Sequence, residues 1–369
     1  IKMKTQRCFF VVLLICVVGL FFIWNNTLSV IQNKNQPRIN AKQQDSLILC
    51  WRHRWGIPTE GHAEGTRIGE CEITYNRSRI AEAGAVVFHY TGLDKEEMPW
   101  KHYRYPDQYF VYTSLEAPNY VMHGEHKSLN QFNGGFINWT MTYRRDSNVF
   151  CPYFSSHVAR PVFLRDQAWL NSTLEKKTKM ALWVVSNCDL LRGSRLRMDY
   201  VTKLVEAGLP VDRYGKCFNN KEEFAGMSSK DLNSYKFYLS FENAENCKDY
   251  VTEKFCQKGL EDGRVPVVWG PKKSDVEQLA PPGSFIHADD FESPAKLAAY
   301  LLYLDKNDTA YREYFKWVEY PGEEMERIKK LYARTREEVL CDKLLSNPSP
   351  NIVESVTDFF YNSESKECL

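Results

Sequence analysis

The chain has 369 residues, 43% hydrophobic and 26% charged, with a formal net charge of +1 at pH 7. That length fits two medium-sized domains, and the balanced charge excludes the basic footprint expected of a nucleic-acid-binding protein. The 11 cysteines include no Cys-x-x-Cys pair, and the 8 histidines do not fall beside them at zinc-ligand spacing, so no structural metal is expected.

An unbroken apolar run over residues 8–24 follows Lys2, Lys4 and Arg7. As a helix rising ~1.5 Å per residue it would span about 25 Å, near the lower limit for crossing a bilayer. The basic residues ahead of it place residues 1–7 in the cytoplasm and everything after the run in a lumen. A cleaved signal peptide is the alternative, but the run is longer than a usual h-region and no small-x-small site follows it. The expectation is therefore a transmembrane signal-anchor of a type II membrane protein. Residues 25–44 are polar with a single proline, Pro37, and are read as a short stem.

In a secretory lumen, the sequons at Asn76, Asn138, Asn171 and Asn307 become candidate N-glycosylation sites, while Asn25 lies too close to the membrane. Setting aside Cys8 and Cys16 in the apolar run leaves Cys50, Cys71, Cys151, Cys188, Cys217, Cys247, Cys256, Cys341 and Cys368. Some of these should form disulfides in an oxidising compartment, with a connectivity open at this level.

Residues 45–170 offer short apolar stretches at 46–50, 85–90 and 109–114, the pattern of a first α/β domain. Residues 171–345 are more regular. Strands are predicted at 180–186, 210–214, 236–241, 265–269 and 284–287. Helices are predicted at 195–207, where Gly208 is the stop, at 250–260, and at 293–304 behind a Ser293 cap. Residues 346–369 form a C-terminal tail. Alternation of strand and helix implies a parallel sheet covered on both faces, with ligand bound at the carboxyl ends of its strands. Two Rossmann-like domains facing across a cleft are the expected architecture.

A nucleotide diphosphate needs cations, a helix start or turn amides, and polar groups for ribose and base. Arg195 lies just beyond Ser186 and Asn187, and Lys254 sits early in the predicted 250–260 helix, with Glu242, Asn243, Tyr250 and Glu253 between them. On spacing alone, Arg195 and Lys254 could equally be solvated helix-face charges. Neither Gly-x-Gly-x-x-Gly nor a P-loop occurs. Asp-x-Asp, which many sugar transferases use to hold a divalent metal, is also absent, the nearest approach being Asp146-Ser147-Asn148. Neutralising a leaving diphosphate would then fall to Arg195 and Lys254, so no metal cofactor is required.

Several segments together resemble one family. They are Tyr235-Lys236-Phe237-Tyr238-Leu239-Ser240-Phe241-Glu242-Asn243, Asp249-Tyr250-Val251-Thr252-Glu253-Lys254 and Val265-Pro266-Val267-Val268-Trp269-Gly270-Pro271. Trp183-Val184-Val185-Ser186-Asn187, Asp212-Arg213-Tyr214-Gly215 and Pro281-Pro282-Gly283-Ser284-Phe285-Ile286-His287 extend the match, as does the upstream block from Phe136 to Ser147. The blocks resemble α1,3/4-fucosyltransferases of glycosyltransferase family 10, and Tyr143-Arg144-Arg145-Asp146-Ser147 resembles invertebrate members more than vertebrate ones.

The resemblance implies a GT-B fold in the Golgi membrane with its catalytic part luminal. It implies inverting transfer from GDP-fucose to a GlcNAc hydroxyl of a glycoprotein or oligosaccharide glycan, on an N-glycan core or a lactosamine-type antenna. It assigns the general base to Glu116 in Glu116-Ala117-Pro118, where Ala117 replaces the family's usual serine. Arg195 and Lys254 match the diphosphate contacts, and Tyr250, Glu253 and Asn243 the ribose and fucose contacts. Glu242, Asn187 and Tyr214 are further donor-pocket candidates. A binding homologue that has lost catalysis and a transferase for another nucleotide sugar are the competing readings.

Overall fold

The computed structural model describes residues 46–52, 62–92, 98–102, 104–123, 129–319, 322–346, 351–361 and 368. The predicted anchor at 8–24 and the stem lie outside the described residues. Among the described residues, no helix is long and apolar enough to cross a membrane.

Twelve strands form two sheets. The first contains β1 (Leu47–Arg52), β2 (Arg67–Ile68), β3 (Cys71–Thr74), β4 (Ala85–His89), β5 (Tyr109–Ser114), β6 (Trp139–Thr142) and β7 (Val149–Phe150), in the order β2-β3-β1-β4-β5-β6-β7. Only the β2–β3 pair is antiparallel. The second contains β8 (Lys179–Val184), β9 (Val211–Tyr214), β10 (Tyr235–Phe241), β11 (Val265–Trp269) and β12 (Ile286–His287), ordered β12-β11-β10-β8-β9 and parallel throughout.

The central strands β4, β5 and β10 are buried at every residue. Such strands read as continuous apolar runs because both faces of the sheet are covered. On one face of the second sheet, Phe237, Leu239 and Phe241 pack against Val201 and Leu204 of helix Arg192–Glu206 and against Leu297, Leu301 and Leu304 of helix Pro294–Asp305. The latter begins as its sequence suggests, with Ser293 Oγ accepting from the Lys296 amide at 3.3 Å and a proline in the first turn.

The chain returns to the first sheet at its end. Helix Arg336–Leu345 buries Leu340, Cys341 and Leu344 against Ile48, Val87, Val111 and Trp139, and Cys341 forms a disulfide with Cys71. Helix Val356–Phe360 then joins the other face of the same sheet through Val356 and Phe360. The sequence-based division at residue 345 therefore places one helix in the wrong layer. Its apolar face is filled by strands nearly three hundred residues upstream, a pairing that local pattern does not encode. Two further disulfides join Cys188 to Cys217 and Cys247 to Cys368, while Cys50, Cys151 and Cys256 are buried outside any disulfide.

Asn138 needs a correction. It is 7% exposed; its Oδ1 accepts from the Phe110 amide at 2.9 Å and its Nδ2 donates to Asn351 O at 2.8 Å. A glycan on that nitrogen would displace the C-terminal segment from the first domain, so the folded chain has no room for one. Asn76 and Asn171 are exposed, whereas Asn307 is half-buried, its Oδ1 capping a helical turn and its Nδ2 donating to the Tyr303 hydroxyl at 2.9 Å.

Candidate active site

In the second sheet, the chain leaves β8 toward β9 on one side and later returns to β10 on the other. The crevice beyond the carboxyl ends of β8 and β10 is thus a topological switch point, where open parallel sheets bind ligands. The residues just past β8 and β10 meet there. Gly193, at the start of helix Arg192–Glu206, lies so close to the loop after β10 that a Cβ would stand 2.7 Å from Asn243 O.

Past β10 comes a cluster of buried charge. Glu242 accepts from the Thr252 amide at 3.0 Å, from Thr252 Oγ1 at 2.8 Å and from Lys254 Nζ at 3.0 Å. Lys254 Nζ also reaches Thr252 Oγ1 at 2.8 Å and Glu253 Oε1 at 3.1 Å. Burial disfavours the lysine charge, but the two carboxylates outweigh it and raise Lys254 above the usual lysine value. Burial lifts Glu242 above the ordinary carboxylate range. Glu253 is also penalised by burial, yet the adjacent ammonium draws it below that range. To meet a diphosphate, Lys254 would exchange one of these two carboxylates for a phosphate oxygen; Glu253, more exposed at its side chain than Glu242, is the partner free to yield.

The predicted helix over 250–260 begins later than expected, at Glu253, with Thr252 as its cap. Asp249 has φ 59°, and the Val251 amide donates to Asp249 O, so Tyr250 lies in a turn rather than on the helix. This puts Lys254 in the first helical turn. The Tyr250 hydroxyl donates to Asn243 Oδ1 at 3.1 Å, and its ring lies 5.0 Å from Tyr143 and 6.1 Å from Tyr153 of the other sheet's layer.

Those three tyrosines join the two halves. Glu116 follows β5, its amide bonded to Ser114 Oγ at 3.1 Å, and Ala117 is wholly buried in the first-domain core. Ser114 thus supplies a side-chain hydrogen bond to the turn that carries Glu116. Burial pushes the Tyr250 phenol well above its usual value, and the Glu116 charge adds to the shift, followed by Glu242, Tyr143 and Glu253. Tyr153 is likewise raised by burial first, then by Tyr250, Glu116, Glu253 and Glu242. Glu116 after β5 and Glu242 after β10 thus both contribute to the raised values of these two phenols.

Other predicted positions are less central. Arg195 is exposed, and its Nη1 donates to Asp189 O at 2.7 Å. Asn187 is half-buried, with Oδ1 accepting from the Leu190 amide. Tyr214 packs on Phe224 at 5.8 Å, in a side cluster with Tyr235 and Leu182.

The guanidinium that acts electrostatically on Lys254 is Arg197, which sequence reasoning passed over. Arg197 is 2% exposed; it donates to Phe241 O at 2.8 Å and Asn187 O at 2.7 Å, tying the end of β10 to the segment after β8. Its Nε and the neighbouring Ser194 Oγ are buried without a hydrogen-bond partner. The signal available was Ser194-Arg195-Leu196-Arg197, in which a helical turn cannot present both arginines to solvent and to the site alike.

The glycosyltransferase family 10 (fucosyltransferase) C-terminal domain matches residues 174–359, and the fucosyltransferase N-terminal domain matches residues 43–154. A 3-galactosyl-N-acetylglucosaminide 4-alpha-L-fucosyltransferase of Bos taurus is 40% identical over 255 residues, 68% of this chain and 64% of the bovine protein. A 4-galactosyl-N-acetylglucosaminide 3-alpha-L-fucosyltransferase of Pongo pygmaeus is 37% identical over 286 residues, covering 74% of this chain and 73% of that protein. A crystal structure of an alpha1,3-fucosyltransferase with GDP-fucose shares the fold, with a TM-score of 0.53 at 16% identity over 83% of this chain and 91% of the other. With its two parallel-sheet domains and both domain matches in chain order, the chain belongs to glycosyltransferase family 10, the fucosyltransferases.

Proposed function

We propose that this chain transfers L-fucose from GDP-fucose, with inversion and in α1,3 linkage, to a GlcNAc hydroxyl of a glycoprotein glycan in the Golgi lumen. The observation that carries the reading is Lys254 held on Glu242 past the carboxyl end of β10, in a segment whose Tyr250 ring packs 5.0 Å from Tyr143 of the first domain. Family membership supplies the reaction class, and the assignment of Glu116 as base rests on its match to the family's motif.

Glu116 takes the proton from the acceptor hydroxyl as the acceptor oxygen bonds to the fucose anomeric carbon. On the opposite face the bond from that carbon to the phosphate oxygen breaks, and its electron pair leaves with GDP. Lys254 stabilises the charge that accumulates on the diphosphate, assisted by Arg195, so the reaction needs no divalent metal. Tyr250 and Asn243, joined by their hydrogen bond, line the donor between the two ends. Three disulfides support folding in an oxidising compartment, as a type II orientation behind the 8–24 anchor requires.

The test is Glu116→Gln, assayed for transfer and for GDP binding in the presence of a chelator. Turnover should fall about 10²–10⁴-fold while GDP affinity is kept, because only the proton-transfer step is removed. Near-normal transfer by the variant would take Glu116 out of the mechanism, and loss of wild-type activity on chelation would reject the metal-free reading.

A further inference from the structure

The loop that carries Tyr250 turns through two left-handed residues. Asn246 and Asp249 both hold left-handed backbone, with φ of 57° and 59°. Outside glycine that conformation is uncommon and is taken most readily by asparagine and aspartate, with surrounding contacts selecting it. Asn246 is held within its own domain, its amide donating to Gly270 O at 2.7 Å.

Asp249 is held from the other domain. Its carboxylate, with a side chain of 0% exposure, accepts from the Arg145 backbone amide at 2.9 Å and from Arg145 Nε at 2.7 Å. The Asp249 amide donates to Asp275 Oδ2 at 3.2 Å, and Arg145 Nη2 stands 3.7 Å from Asp275 Oδ1. Two acidic side chains of the donor domain thus converge on one arginine of the other domain. The bonded chain then runs directly from Asp249 into Tyr250, the Thr252 cap and Lys254.

We infer that Arg145 is a positioning residue of the donor site: by gripping Asp249 across the domain boundary it sets the path of residues 250–254. Donor affinity is in this way made dependent on how the first domain is seated. The neighbouring pairs work differently. Asp146 bonds Arg144 at 2.9 and 2.8 Å and Lys248 at 2.8 Å, but it is more than a third exposed and ends no left-handed turn. Arg145 alone places a backbone amide and a guanidinium on one buried carboxylate. The inference rests on the reading of residues 242–254 as the donor site.

The experiment compares Arg145→Ala, Arg145→Lys, Asp249→Asn and the Arg145→Ala/Asp249→Asn double variant in the full chain, with KM for GDP-fucose, KM for a lactosamine-type acceptor and GDP affinity measured for each. Arg145→Ala should raise the donor KM and weaken GDP binding by about tenfold, the scale of one lost charge-assisted hydrogen bond. The acceptor KM should stay within about twofold. Arg145→Lys should recover part of the loss, since an ammonium keeps the charge but not the fork. The double variant should be no weaker than the weaker single, as expected for two residues acting through one contact.

An unchanged donor KM in Arg145→Ala, an equal rise in both KM values, or additive losses in the double variant would each overturn the inference. If Arg145→Ala fails to fold, Arg145→Lys and Asp249→Asn decide: donor-selective losses support the inference, and none or equal losses overturn it. Lys254→Ala, measured alongside, separates the two levels of argument. Undiminished GDP affinity in Lys254→Ala removes the donor-site reading itself, whereas weakened affinity there with a normal Arg145→Ala sinks only the positioning role.

Discussion

Lys254 and Glu242 show how a single side chain governs both binding and stability. Glu242 is 2% exposed at its side chain and Lys254 18%, and each is the other's main counter-charge. Removing one partner of such a pair strands the other, at a cost of about 3–5 kcal/mol when the survivor stays charged. In Lys254→Met the survivor is Glu242, whose folded pKa burial already holds above its ordinary value of 4.5. Loss of the ammonium raises it further. The folded state then binds the Glu242 proton more tightly than the unfolded chain does. The Glu242 contribution is therefore fully present below about pH 4.5 and is lost as pH rises through the folded value. Thermal unfolding of Lys254→Met and wild type from about pH 4 to about pH 8 should show a gap in Tm that widens with pH. A gap independent of pH would mean that Glu242 is not the stranded charge.

At the scale of elements, the junction between helix Arg192–Glu206 and the loop after β10 sets the width of the donor crevice. A methyl at position 193 would meet backbone atoms of Asn243 and Ala244 at 2.7 to 2.9 Å, and backbone cannot swing aside as a flexible side chain can. Gly193→Ala should therefore tilt the helix start from the loop, lower stability by about 1–3 kcal/mol, and weaken GDP binding. Thermal unfolding with and without GDP checks both. An unaltered GDP-induced rise in Tm would separate the helix start from the donor site. The regular elements themselves were legible in the sequence: 265–269 is apolar throughout because it is covered on both faces, and Ser293 announces its helix by a side-chain cap. What escaped is non-local. Sequence alone puts Tyr250 on a helix, because an aspartate permits left-handed backbone without requiring it; that turn is held by Arg145, 104 residues away in sequence. Arg195 was preferred to Arg197 for a related reason, since which of two arginines a helix buries depends on the strand it packs against.

At the scale of the whole molecule, the first domain is built from both ends of the chain, and the cleft lies between two crossings rather than one. Helix Arg336–Leu345 closes one face of the first sheet and helix Val356–Phe360 the other, while Cys368 returns to the donor loop through Cys247. Phe360 of the second of these helices lies 6.3 Å from Tyr143, which in turn meets Tyr250 of the donor loop at 5.0 Å. The disulfides differ in the length of chain they close: Cys71–Cys341 spans 270 residues and Cys188–Cys217 only 29. If each acts mainly by restricting the unfolded chain, the longer closure contributes about 5 kcal/mol and the shorter about 3–4 kcal/mol. The double serine variant at Cys71 and Cys341 should then lose more stability than that at Cys188 and Cys217. It should also release helix Arg336–Leu345 selectively, because that helix keeps its apolar contacts but loses its covalent hold. Hydrogen exchange across residues 336–345 reads this directly: faster exchange confined to that helix fits an anchored return segment. Uniform acceleration over both sheets would mean instead that the return helix and the two domains unfold as a single unit.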